Sequence, residues 1–575
     1  MFRKPVTLVL IFGCSIVSCL SGATVTSSPQ PSRVGPTLST AAHTTLPEDA
    51  GSPSQPARLA AAATTYYVRP DGGSSSQCNG RSDAPYTGDS QDCAWDHPFR
   101  ALPPGATPRI SGGDTLVIAS GSYMMGYGAP GGDACESSAR WDCHMPPIPS
   151  GPDAAQPTRI LGAGWDATCP SPPELWGTER PWFILNLTGS NYVELACLEI
   201  TDHAGCVEDH SGGLACERDN APFGSWAAVG LYAQDAREVH LRDLDIHGLA
   251  VAGVHAGRLT DWRVERVRLA GNGWAGWDGD IEGTDANAGT LTFQHWTVEW
   301  NGCAETFPGG EPVGCWAQTA GGYGDGVGTG ETGGRWIIED SAFVHNTSDG
   351  LDLLYTRLED SDITIRRTLA AGNAGDQIKT SGPTYLENVV TVSNCGFFEG
   401  KPFTFNVDNC RAGGSALAFT LRSGDQIAVV NGTITGEGDC LIIAEGEDGT
   451  VVLRNDILLG NPEFGQAGDT TCMAWYGTPG DPYSIDYSII DGVKEDLSVC
   501  PDHSYCDVDP GLTSSDILGF DAHLRQDSPA IDHGTAAGAP GVDFEGHPRD
   551  AQPDIGAYEW WAAAAWVYLP AVRKN

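Results

Sequence analysis

The feature that most constrains this chain is a short alternating strand followed by a turn, repeated down its length. The copies read VHLRDLDIHG from 239, WRVERVRLAGNG from 262, LTFQHWTVEWNG from 291, WIIEDSAFVHN from 336, ITIRRTLAAGN from 363, TYLENVVTVSN from 384, IAVVNGTITG from 427 and VVLRNDILLGN from 451. Their spacings are mostly 21 to 29 residues, with two near 44 where a loop is inserted. A repeat this short cannot bury an apolar face alone, so the copies must stack and form their core between neighbours. Stacking in register puts Leu241, Val264, Phe293, Ile338, Ile365, Leu386, Val429 and Leu453 in one inward column. Asparagines recur at Asn272, Asn301, Asn346, Asn373 and Asn394, as turns that hydrogen-bond from coil to coil require. With no helical periodicity, these spacings predict an all-β fold, a right-handed, single-stranded parallel β-helix.

The ends of the chain read differently. A basic start and a short apolar run, MFRKPVTLVLIFGCSIVSCLS, predict an export signal over residues 1–23, too short to span a membrane. IleValSerCys at 16–19 resembles a bacterial lipobox, which makes Cys19 the candidate for lipidation and membrane anchoring; ordinary signal cleavage nearby is the alternative. Residues 24–63, rich in Ser, Thr, Pro and Ala, read as a flexible tether, 64–560 as the β-helix and 561–575 as a tail. The expected location is extracellular or at a bacterial cell surface, as a monomer.

Of 18 cysteines, 16 lie beyond the signal, an even number suited to an oxidising compartment. In order they form eight local pairs, 78 with 93, 135 with 143, 169 with 197, 206 with 216, 303 with 315, 395 with 410, 440 with 472 and 500 with 506, although other connectivities fit the same count. None has the CxxC spacing of a zinc site. The net charge of −42 argues against a nucleic-acid partner, and admits a polyanionic substrate only where cations are concentrated.

One frame recurs with its last charge reversed. HNTSDGLDLL at 345–354 and GNAGDQIKTS at 372–381 share Asn, two residues, Asp, two residues, then a charge that is Asp352 in one and Lys379 in the other. Coils about 4.8 Å apart place equal offsets one above the other. YGDGVGTG at 323–330 extends the pattern, which predicts a column Asp325, Asp349, Asp376 beside a column Gly328, Asp352, Lys379. Like charges at that spacing need a cation or protons, and calcium is the hard cation that carboxylates take outside a cell. Lys379 is one of only five lysines, and Lys401, Arg411 and Arg422 follow it as candidate contacts for an acidic substrate. An ordinary salt bridge to Asp352 is the plainer reading of Lys379.

TTYYVRPDGG at 64–73 with GGDTLVIASGSY at 112–123 resembles the entry coil of right-handed β-helix proteins of bacterial surfaces. SPAIDHG at 528–534 with GHPRDAQPDIGAYEW at 546–560 resembles their closing segment, of the choice-of-anchor type. At the acidic frame the chain resembles the family 9 polysaccharide lyases, which are calcium-dependent pectate lyases. That resemblance implies that Asp325, Asp349 and Asp352 are calcium ligands and that Lys379 is the base of a β-elimination on a uronic-acid polymer such as pectate. Where that family has paired aspartates this chain has Ser348 before Asp349, and Asp376 is the candidate replacement ligand.

Two rivals stand beside this reading. NTSDG resembles the NTDG of family 28 glycoside hydrolases, and QIK their RIK, but the chain lacks GHG and an adjacent Asp pair there. A non-catalytic surface β-helix that binds glycans, with calcium as a structural clamp, accounts equally for the acidity and the tether. WDGDIEGTD at 277–285 reads as a hydrated loop or a second calcium loop, and His210 and His295 as structural. Trp274, Trp277, Trp296 and Trp300 read as either a sugar groove or packing.

Overall fold

The computed structural model describes residues 63–89, 91–208, 216, 222–281, 286–316, 324–358, 361–398, 403–404, 414–436, 440–460, 472–477, 482–493 and 499–561. The chain divides into two units, Met1–Leu59 and Ala60–Asn575. The signal, Cys19 and nearly all of the tether lie outside the described residues, as do His210, Lys401, Cys410 and Arg411.

The second unit is a parallel β-helix. One coil runs Arg335–Glu339, Ala342–Val344, Leu351–Leu353, and the next runs Asp362–Arg366, Leu369–Ala371, Ile378–Ser381. Each strand pairs in parallel with its counterpart one coil on. The first two strands of each coil belong to a 23-stranded sheet and the third to a 10-stranded sheet. Alternation explains the division of faces, since inward residues are aliphatic or aromatic and outward ones are polar.

The expected inward column is present pair by pair from Leu241 to Leu453, and every member is completely buried. It also extends upstream through Leu195, Ile160, Leu116 and Tyr66, coils whose repeats are interrupted by loops. Each such side chain contributes roughly 1.5–3 kcal/mol of burial. Mid-helix the core becomes aromatic: Phe293 stacks on Trp296 at 4.6 Å and on Trp336 at 5.4 Å, with Trp277 edge-on to Phe293 at 5.7 Å. Trp277 and Trp296 are therefore packing residues, not groove walls.

A single residue with positive φ turns each coil from its first strand to its second, at Asp243, Arg266, His295, Asp340, Arg367, Asn388, Asn431 and Asn455. In the exposed coils these corners pair by charge: Arg266 Nε lies 2.6 Å from Asp243 Oδ1, and Arg367 Nε 2.6 Å from Asp340 Oδ1. At Asn388, Asn431 and Asn455 the corner is Asn, and the closing segment lies over it. Asn388 donates to Val542 O, Asn431 to Asp554 O and Asn455 to Thr535 O, at 2.8–2.9 Å. The segment is held by an Arg549–Glu559 pair at 2.9 Å, in which both side chains are almost fully buried.

Seven of the eight expected disulfides are formed, all sequence-local, and the eighth involves Cys410. Disulfides at this density belong to an oxidising, extracellular compartment. No helix among the described residues is long and apolar enough to cross a membrane.

Candidate functional site

Three consecutive strands of the 10-stranded sheet build the site: Val327–Thr329, Leu351–Leu353 and Ile378–Ser381. The glycine that precedes two of them is required by close approach. A Cβ at Gly326 would meet the Asn346 side chain at 2.8 Å, and one at Gly350 the Asn373 side chain at 2.5 Å. Those asparagines form a ladder in which Asn272, Asn301 and Asn346 each donate Nδ2 to the next Oδ1 at 2.8–3.0 Å. The ladder ends one member earlier than expected. Asn373 passes its bond at 2.9 Å to Gln377 of the same coil, while Asn394 donates to Ile517 O.

The outward register is Gly328 opposite Asp352 and Asp352 opposite Lys379, as the recurring frame implies. The aspartates beside it form a second ladder that the spacing alone did not disclose. Asp349 N donates to Asp325 Oδ1 at 3.0 Å, Asp376 N to Asp349 Oδ1 at 2.7 Å, and Ser415 N to Asp376 Oδ1 at 2.8 Å. One oxygen of each carboxylate thus holds the next coil and the other stays available. Lys379 Nζ meets three of the available oxygens, at 3.1 Å from Asp349, 3.3 Å from Asp352 and 3.9 Å from Asp376.

Asp325 is different. It is buried, and no ion pair among the described residues reaches it. A Cβ at Gly328 would lie 2.9 Å from Asp325 Oδ2, so glycine keeps that approach open. Oxygens of Asp325, Asp349 and Asp352 lie within 4.8 Å of one another. Three buried carboxylates that share a single ammonium form an all-oxygen cluster of net negative charge, a donor set that suits a hard divalent cation.

The electrostatics are those of crowded carboxylates. Burial, then repulsion from Asp349 and Asp352, pushes the Asp325 carboxyl well above its ordinary value. Burial raises Asp352 to about 6 against the attraction of Lys379. Burial and the Asp349 charge raise Asp376 to about 8. For Lys379, burial favours the neutral amine, but the fields of Asp349, Asp352 and Asp376 outweigh it and hold the ammonium far into the charged range.

The remaining candidates lie elsewhere. Arg422 follows the strand after Lys379's and is tied to a turn, with Nε 3.2 Å from Asp425 and its other nitrogens on Arg357 O and Gly382 O. That places it four residues beyond Ala418, the strand partner of Lys379, and it does not join the cluster. Asp278 pairs with His255 at 3.5 Å, and the rest of its loop, 282–285, lies outside the described residues. Trp300 is half-buried beside His345 at 5.0 Å. His295 is an exposed corner residue. Ser415, whose N–H joins Asp376, carried no sequence signal of its own, although the Asp ladder repeats the logic of the Asn ladder that the sequence did show.

No family model and no curated protein matches the chain. Among solved structures it is similar to pectate lyase Pel9A, at 14% identity over 86% of this chain and 96% of that one, with a TM-score of 0.38. It is also similar to an alginate lyase from Paenibacillus sp., at 14% identity over 67% and 94% with a TM-score of 0.31. A third is PfbA, a surface adhesin of Streptococcus pneumoniae, at 8% identity over 67% and 84% with a TM-score of 0.29. The likeness is one of fold. These proteins differ in what they do, so the reading of this chain rests on its own residues.

Proposed function

We propose that the chain is an exported polysaccharide lyase that cleaves a uronic-acid polymer such as pectate by β-elimination, in the manner that its resemblance to family 9 lyases implies. The observation that carries this is the placement of one amine against three carboxylates on successive coils, with a fourth, Asp325, that no ion pair among the described residues reaches, beside Gly328. Asp325, Asp349 and Asp352 would hold calcium, with Asp376 behind them. Calcium bound there supplies charge neutralisation to the aspartates and to a uronate carboxylate of the substrate.

Lys379 is the base in this reading. Its amine takes the proton from C5 of the uronate, the C5 electrons form the C4–C5 double bond, and the C4–O bond breaks, its oxygen taking a proton from solvent. The ammonium favoured in this structure must first release its proton, and that requires the fields of Asp349 and Asp352 to be offset. Asp376 lies 3.9 Å from the same Nζ, and its field must be offset with theirs.

The second reading is a non-catalytic glycan-binding β-helix. It is favoured by the Asp ladder itself, because each aspartate has a structural task in joining coils, and by the ammonium that bridges Asp349 and Asp352. Incubation with polygalacturonate, with and without calcium, distinguishes the two. Calcium-dependent growth of ultraviolet absorbance from an unsaturated product supports the lyase, and its absence with every uronate polymer sinks it. Export to a cell surface, with a lipid on Cys19, belongs to this proposal; mass spectrometry of the mature protein decides it.

A further inference from the structure

The sheet face that carries Lys379 continues toward the N-terminal coils, and there its chemistry changes. Asn186, Tyr232, His255, Asp278, Gly328, Asp352 and Lys379 occupy one outward column on successive strands. Tyr232 and His255 meet edge to face at 5.6 Å, Phe183 stacks on Tyr232 at 5.1 Å, and His144 lies over Phe183 at 3.9 Å. All four rings are half-buried, each in contact with the next. The row joins the acidic site through Asp278, whose carboxylate is 3.5 Å from His255 Nδ1. Four strand steps separate Tyr232 from Asp352, about 19 Å at ordinary sheet spacing. Each step is close to the length of one pyranose unit.

Charge narrows what such a row can take. Among the described residues, Lys379 is the only Lys or Arg on the strands of this sheet, whereas Asp278, Asp352 and Glu445 face outward from the same strands. A polymer with a carboxylate on every unit would lay a line of negative charge along these strands with one ammonium on them to meet it, while Arg258, near Tyr232, is paired with Asp235. Uncharged sugar rings meet no such repulsion, and their C–H faces suit aromatic surfaces.

We infer that His144, Phe183, Tyr232 and His255 form sugar-stacking subsites for uncharged pyranose units, in a chain whose uronate is presented at Lys379. The inference rests on the lyase reading only for that last placement. Uncharged units have two sources, neutral sugars and methyl-esterified uronates, which share the ring face and the lack of charge.

The test is isothermal titration of calcium-free wild-type protein with oligogalacturonides of matched length, one methyl-esterified and one unesterified, and with a neutral β-1,4-galacto-oligosaccharide. At least one uncharged probe is expected to bind about tenfold tighter than the unesterified one, and which of the two does so identifies the source. Tyr232→Ala should weaken that binding about tenfold, and Tyr232→Phe should retain it. Tightest binding to the unesterified probe, no binding of either uncharged probe, or unchanged affinity in folded Tyr232→Ala overturns the inference. The wild-type preference decides the matter should Tyr232→Ala fail to fold. Unsaturated product from a protein indifferent to Tyr232→Ala leaves the lyase reading standing without these subsites; ring-dependent binding without product does the reverse.

Discussion

Asp352 and Lys379 stand opposite each other on adjacent strands, with the lysine Nζ 3.3 Å from the aspartate Oδ2. The same nitrogen is nearer still to Asp349, at 3.1 Å, so Lys379 is the shared counter-charge of a carboxylate cluster as well as the proposed base. That double role shapes what its removal should do.

Lys379→Ala is expected to abolish formation of unsaturated product at any calcium concentration. It should also cost the calcium-free protein roughly 3 kcal/mol at pH 8, because buried carboxylates lose their partner. Added calcium should recover most of that stability and none of the activity. Recovery of activity by calcium would remove Lys379 from the reaction.

Asp349 separates ladder from charge. Its Oδ1 accepts the Asp376 N–H, and an amide oxygen can do the same. Asp349→Asn should therefore fold like wild type and lose about tenfold or more in calcium affinity, whereas Asp349→Ala should lose a further ~1–2 kcal/mol of stability. Equal melting temperatures for the two variants would show that the ladder bond carries no weight.

Acid should stabilise the calcium-free protein at this site. Asp352 and Asp376 have folded values raised to about 6 and 8, above the ordinary 3.8, so the folded state prefers their protonated forms. That contribution is fully present below pH 4 and is lost as pH rises through 6 and then 8. Thermal melts are expected to show a fall in stability over this range that is smaller in Asp376→Asn, and a larger rise on adding calcium at pH 8 than at pH 5. A calcium shift independent of pH would argue against carboxylate ligands with these values.

Asn346 tests the fold apart from the chemistry. It accepts from Asn301 and donates to Asn373 and Val298 O in the buried ladder. Asn346→Ala should destabilise the protein by about 3 kcal/mol through unsatisfied buried groups. Denaturant midpoints measure this directly, and a shift near zero would mean that water replaces the side chain.

The sequence by itself determined the stacking, its register and the residues that meet at the site. A strand has period two and a coil adds one strand spacing, so equal offsets from Asn346 and Asn373 must put Asp349 near Asp376 and Asp352 beside Lys379. Local disulfides followed from the same geometry, since a loop inserted in a coil must return to that coil's edge.

Only the tertiary structure decided what each of those groups does there. That the aspartates bond the backbone of the next coil, that no ion pair among the described residues reaches Asp325, and that the ammonium is held charged depend on how far each oxygen stands from its neighbours. Arg422 was misjudged as a companion of Lys379 because nearness in sequence says nothing about which end of a strand a side chain occupies. Gln377 replaced Asn394 in the ladder, and the closing segment chose Asn388, Asn431 and Asn455 as its bed. These contacts join residues far apart along the chain, and their energies come from distance, burial and charge, which periodicity does not encode.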